Sequence, residues 1–298
     1  MSIKPFCVDP GSGRPLDIPE FCRSVLLVGG LPDKLRTPRG SDGELLPDPA
    51  GAEPVSIGRP ARAPELAASQ DAGPLPHPRE LADPAARAAC LARFAHHELQ
   101  AVELFAWALL RWPELPRELR RGWLGVLEDE QRHCRLYLER LHALGSSPGE
   151  HPVSDYFWRQ VPAIEASPHG PRAFLAALGL TLEQANLDFA ARYRDAFHAV
   201  GDSESARVCA LVHADEIGHV RLAARWLCEL DGRGRSDLDC YEEAVPFPLS
   251  AARAKGRPFD RRARQAAGLS EELIDHVERS RSSQERTPPD QRARKPGP

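Results

Sequence analysis

Apolar residues recur at three- and four-residue steps along four long stretches of the chain, the period of a helix with one face turned to a core. On the first, Leu91, Phe94, Ala95, Glu98, Ala101, Val102 and Phe105 share a face. Asp83 can cap this helix with Pro84 at its first position, and Pro113 stops it after Trp112. The second runs from about Pro116 to Leu144 before Gly145, with Leu127, Glu130, His133, Cys134, Tyr137 and Leu141 inward. At 1.5 Å per residue it covers roughly 40 Å, enough to cross a bundle and leave its middle in the core. The third runs from about Pro171 to Val200 before Gly201, with Leu180, Glu183, Asn186, Leu187 and Ala190 facing in. The fourth follows Asp202 to about Leu230 and presents Val212, Glu216, His219, Val220 and Ala223. The pattern predicts an all-α fold with these four helices at residues 81–232.

The flanks read differently. Prolines and glycines recur every few positions through residues 1–80, which predicts an irregular arm without a long helix. Its apolar run Val25 to Val28 is expected to be a strand or an extended segment packed on the helices. A proline- and aromatic-rich crossover spans Ser146 to Gly170, with Tyr156, Phe157 and Trp158. Residues 233–298 are expected to form a C-terminal extension with one short helix, Ser270 to Arg281 capped by Ser270, and a polar disordered end.

Carboxylates and imidazoles interrupt the apolar faces at matched places. The phrase DEQRH, Asp129 to His133, is echoed by DEIGH, Asp215 to His219, and each sets a Glu and a His three apart on one helix face. Glu98 lies 32 residues before Glu130 and Glu183 lies 33 before Glu216, so the chain reads as two copies of a helix pair. A lone His on an apolar face is ordinarily a bonded core residue, but burying an isolated carboxylate costs several kcal/mol or more. Four Glu at matched intervals call for a compensating charge, and two divalent ions held by anionic oxygens and imidazoles supply it. Glu98, Glu130, His133, Glu183, Glu216 and His219 are the expected metal ligands.

Neighbouring residues sort around that set. Glu103 also interrupts the first apolar face, but the spacing favours Glu98, leaving Glu103 a helix-to-helix ion pair or a supporting role. His97 and Glu98 begin the zinc-protease pattern H-E-x-x-H, which fails because Ala101 stands where the second His belongs. Asp129 and Asp215 are expected to accept the free ring N–H of the metal-bound histidines. Tyr137, one turn beyond His133, is a candidate proton donor or radical site; core filling is the commoner use of such a Tyr. His213 lies one turn before Glu216 and is not expected to be a ligand.

The runs HHELQAVELFAWAL, EDEQRHCRLYLERL, LEQANLDFAARY and HADEIGHVRLAARWL together resemble an uncharacterised bacterial family of ferritin-like proteins, from about Ile57 to Val277. That start makes Ser56 to Pro60 the part of the arm expected to be ordered. A looser similarity links the ligand-bearing helices to the diiron hydroxylases of isopentenylated adenosine in tRNA. The resemblance implies a ferritin-like four-helix bundle with one long crossover, holding two Fe ions, with Mn an alternative in one or both positions. It also implies that the Asp of each phrase serves the His of the other. The activity it suggests, by analogy alone, is oxygen activation by an oxidoreductase of the hydroxylase or oxygenase kind, with dioxygen, an organic substrate and an electron donor as partners. A rubrerythrin-like peroxidase or ferroxidase is the alternative, although the chain has no C-x-x-C module. A non-catalytic interaction protein is the third.

Composition narrows this little further. With 298 residues and 42% hydrophobic content the chain can form a substantial core. A net charge of −4 gives no general attraction to nucleic acid, and the basic residues between Arg253 and Lys295 are interleaved with acids, so RNA is a weakly supported partner. No apolar run nears the roughly 20 residues of a membrane span and MSIKPFCVDPGSG lacks a signal-peptide core, so a cytoplasmic protein is expected. The seven cysteines are scattered, which argues against a disulfide scaffold.

Overall fold

The computed structural model describes residues 16–69 and 71–281, and the described residues contain helices and no strand. Chain order runs α1 Ile18–Leu27, α2 Leu31–Lys34, α3 Pro84–Arg111, α4 Arg117–Ala143, α5 Val161–Ala166 and α6 Pro171–Phe174. A π-helical segment Leu175–Glu183 joins α6 to α7 Gln184–Ala199, and then come α8 Ser203–Asp231, α9 Asp237–Ala244, α10 Arg261–Ala266 and α11 Glu271–Arg279. None of these helices is long and apolar enough to cross a membrane.

The four long stretches are helical at the expected places, although the third contains the π-helical segment instead of running as one regular helix. Asp83 accepts a hydrogen bond from the Ala85 amide at 2.9 Å at the start of α3, and Pro84 occupies its first turn. Helix α4 ends where Gly145 takes φ 77°, and α8 ends at Gly232 with φ 67°, conformations that favour glycine. Helix α3 packs on α4, α7 and the π segment pack on α8, and α4 meets α8.

The apolar core divides into two clusters. One gathers Val102 to Trp112 of α3, Leu119 to Leu127 of α4 and Val220 to Leu227 of α8, with the π segment. The other gathers Ala88 to Leu99, Cys134 to Leu141 and the Tyr193 to Val212 region. The break falls where Glu98, Glu130, His133, Glu216 and His219 sit, so apolar packing above and below encloses a polar layer.

Two flanking regions depart from expectation. The Val25–Val28 run is not extended: it completes α1, with Val28 as its C-cap. Asp17 and Glu20 form a reciprocal capping box, and Pro19 lies in the first turn, where its missing N–H is not needed. Ile18, Phe21, Cys22, Val25 and Leu26 bury one face of α1 against α3. The C-terminal extension holds α9 and α10 besides α11, each capped by a side chain, Ser236, Asp260 and Ser270 respectively. The expected disordered end lies outside the described residues.

Buried ion pairs tie these flanks to the long helices. Glu103 is wholly buried and meets Lys34 at 2.9 Å and Arg62 at 2.6 Å, and it accepts from the Trp158 indole at 2.9 Å. It therefore binds the arm and the crossover to α3. On the other side Arg264 forms a two-pronged pair with Asp188 at 2.8 and 2.9 Å, both side chains fully buried, and Asp188 also accepts from the Gly256 and Asp260 amides. This clamp holds the 250–260 segment on α7.

Candidate metal centre

Helical spacing brings the two phrases face to face. Glu130 and His133 leave one side of α4, Glu216 and His219 leave the facing side of α8, and Glu98 from α3 and Glu183 from the end of the π segment complete a buried group. Donor atoms of Glu98, Glu130, His133 and Glu216 lie within 4.8 Å of one another, as do those of Glu130, Glu183 and His219. Glu130 belongs to both sets.

Six atoms here have no hydrogen-bond partner despite full burial: both oxygens of Glu130, Glu183 Oε1, Glu216 Oε2, and the Nδ1 atoms of His133 and His219. His219 Nδ1 lies 3.1 Å from Glu130 Oε1 and 3.4 Å from Glu216 Oε2, and His133 Nδ1 lies 3.4 Å from Glu130 Oε2, yet none of these contacts has hydrogen-bond alignment. Buried polar atoms are ordinarily paired, so a group of orphans aimed at common points is the signature of a place for cations. The oxygen-rich donor set with two imidazoles suits a divalent transition metal. The buried Glu and His residues can hold a metal ion.

The electrostatics point the same way. Burial pushes the Glu98 carboxyl well above the usual carboxylate range, with Glu130 adding to it, and burial with Glu216 does the same to Glu183. Burial also opposes ionisation of Glu130, but the imidazoles of His133 and His219 outweigh it and hold that carboxyl low. His133 is raised to about 9 because Asp215 and Glu130 overcome the burial that would lower it. Without cations the cluster balances itself with shared protons, and divalent ions would replace those protons.

Behind the histidines the pairing crosses between helices. His133 Nε2 lies 3.0 Å from Asp215 Oδ2 and His219 Nε2 lies 3.4 Å from Asp129 Oδ2. Each Asp acts on the imidazole of the other phrase, leaving Nδ1 of both rings toward the cluster. Arg132 donates to Asp129 at 2.6 Å and to Asp215 at 3.0 Å, joining the two carboxylates. Asn186 donates to Glu216 Oε1 at 2.7 Å, which fixes that carboxylate with Oε2 directed into the cluster.

A cavity of about 570 Å³ reaches Glu98, Glu130, Glu183 and Glu216. Phe94, Ala101, Leu182 and Phe189 line its inner part, and residues of the arm, crossover and C-terminal extension enclose the rest. His97 faces it, stacked on Phe157 with ring centroids 5.2 Å apart, and burial beside His96 and Arg93 lowers its pKa to about 4. The imidazole of His97 is neutral at pH 7.

The model of a family described as a protein of unknown function, DUF455, matches residues 35–275, which include all six cluster residues and every segment around the cavity. The chain belongs to the DUF455 family. An uncharacterized protein of Haemophilus influenzae is 27% identical over 168 residues, covering 53% of this chain and 57% of that relative, so the match spans little more than half of either. No solved structure matches the chain.

Other candidates of this DUF455 chain fall outside the cluster. Tyr137 is buried, with its hydroxyl 3.9 Å from Cys209 Sγ and its ring 5.3 Å from that of Phe94; it does not line the cavity. His213 pairs with Asp260 at 3.1 Å. Arg132 and Asn186 are supports beyond the expected set. Their signal was present, since Arg132 lies inside the DEQRH phrase and Asn186 follows Glu183 by three on the same helix face.

Proposed function

We propose that this chain is a ferritin-like dinuclear carboxylate protein that oxidises an organic substrate with dioxygen. The observation that carries the reading is the group of six unpartnered buried donor atoms, whose carboxylates line a cavity large enough for a drug-sized molecule. Glu98, Glu130, His133 and Glu216 would hold one iron ion, and Glu130, Glu183 and His219 the other. When bound, the ferrous pair supplies the electrons and open coordination positions that dioxygen reduction needs.

The protein's part is to position and to protect. Asp215 and Asp129 would keep the ring protons on the Nε2 atoms, so both histidines present Nδ1 to the cations. Asn186 restrains Glu216. The apolar inner walls would keep water from the reacting carbon while the acidic floor sits beside it. A protein that only oxidises iron has no use for an enclosed space of this size, and this favours the oxygenase reading over the ferroxidase alternative.

Metal analysis of the purified full chain, followed by rapid mixing of the reduced, iron-loaded protein with oxygenated buffer, tests the reading. Two irons per chain and oxygen uptake far faster than that of free Fe(II) are expected. Absence of bound iron, or uptake at the free-ion rate, would overturn it.

A further inference from the structure

The cavity has a polarity that the cluster alone does not explain. Its floor is the four carboxylates, and these are the only acidic side chains that line it among the described residues. Its outer part instead carries Arg159 from the crossover and Arg253 and Lys255 from the C-terminal extension. Neither the Arg159 nor the Arg253 guanidinium has a carboxylate partner among the described residues; Arg159 rests over the Tyr156 ring, 5.8 Å from its centroid. Lys255 donates to the Glu278 carbonyl and adds a third positive charge at the same side. Between the two ends lie flat walls: Phe94 and Phe189, and the parallel stack of His97 on Phe157.

We infer that the cavity takes a small organic acid with an aromatic or similarly flat apolar body, its carboxylate, sulfonate or phosphate held by Arg159 and Arg253 and its body directed at the carboxylate floor. Guanidinium groups left without internal partners bind oxyanions with charge-assisted, two-pronged hydrogen bonds. The aromatic walls accept a flat body by stacking and offset contact. A head group fixed at the mouth sets which end of the substrate reaches the floor, so the arginines act as positioning residues. This deepens the oxygenase reading by naming its substrate class, but anion capture at the mouth does not require the cations to be present.

The probe is 8-anilinonaphthalene-1-sulfonate, compared with N-phenyl-1-naphthylamine, which has the same aromatic body without the sulfonate. Both are titrated by fluorescence against the full chain, iron-loaded and iron-free, with iron content measured on the same samples. The sulfonate is expected to bind once per chain, and Arg159→Gln with Arg253→Gln to weaken it at least about tenfold while the neutral probe changes less than about twofold. Both arginines are exposed, so their replacement is expected to leave the fold intact. Arg225→Gln, which removes an exposed arginine on α8 paired with Glu118 and Glu229, is expected to change neither probe. Unchanged sulfonate affinity in the double variant, an equal loss for both probes, or displacement of the sulfonate by tRNA but not by 1-naphthoate would overturn the inference. A full chain that takes up no iron yet still shows the arginine-dependent binding would sink the metal reading and leave this one standing.

Discussion

His133 on α4 and Asp215 on α8 stand 3.0 Å apart, Nε2 to Oδ2, and the reverse pair of His219 and Asp129 stands at 3.4 Å. The repeated phrase is thus a reciprocal device, in which each copy supplies a Glu and a His to the cluster and an Asp to its counterpart. Arg132 lies between the two carboxylates, and the spare negative charge of both is partly neutralised on the protein's outer side.

Replacing Asp215 by Ala frees the His133 ring to rotate and removes the acceptor that sets its tautomer. Loss of such a carboxylate ordinarily weakens a metal site by about 10–100-fold. Asp129→Ala is expected to do the same to the His219 side. Competition with a coloured chelator measures the effect; unchanged iron retention in both variants would remove the role assigned to the crossed pairs.

Glu130 contributes to both donor sets and Glu98 to one, so their amide variants should differ in kind. Glu98→Gln is expected to lose one ion preferentially, whereas Glu130→Gln loses both. Metal stoichiometry after gel filtration separates the cases. Because bound ions stabilise the state that binds them, the melting temperature of the parent protein should fall on chelation while that of Glu130→Gln should not. Equal stoichiometry in the two variants would contradict the shared position of Glu130.

Spacing made the long helices and the six cluster residues legible, because a buried carboxylate on an apolar face has so few other uses. Irregular chain made the remainder obscure. Helix α1 was hidden by proline density, although Pro19 falls in the one turn that tolerates it and the Asp17–Glu20 capping box was written in the sequence. The partners of Glu103, Lys34 and Arg62, lie 69 and 41 residues away in the arm, where no periodicity fixes which side chain turns inward. The mouth of the cavity is built from three such segments, so its charge is a property of tertiary placement alone. The π segment is indistinguishable from ordinary helix in the sequence, because one changed hydrogen-bond register leaves the apolar pattern of Leu175–Glu183 nearly intact.

Gly179 lies within that π segment at a close approach to α8. A Cβ added there would fall 2.3 Å from the Ala223 Cβ, a separation that neither helix can absorb without moving. Gly179→Ala is therefore expected to destabilise the protein by about 1–3 kcal/mol, the usual cost of overpacking, and to lower metal retention because Glu183 is one turn along the same segment. Chemical denaturation and iron content measure the two effects. Adding Ala223→Gly should restore both; a Gly179→Ala protein of parental stability would show that the helices are not in contact at this point.

Asp155 ties the crossover to the Arg62 guanidinium that also holds Glu103, and it lies 3.9 Å from His96. The His96 imidazole and Arg62 together depress its pKa from 3.8 to about 2 against a partial burial that opposes them. A carboxyl held lower in the folded state than in the unfolded chain stabilises the fold where it is ionised in both, and that contribution disappears as pH falls through the folded value. The parent protein should therefore exceed Asp155→Asn in stability at neutral pH, and the gap should narrow below pH 3.8 and close near pH 2. Asp155 remains partly exposed, so solvent screening limits the gap, and high salt should reduce it further. Urea unfolding of both proteins across this range is the measurement, and a difference that stays constant with pH would show that Asp155 acts by packing and not by charge.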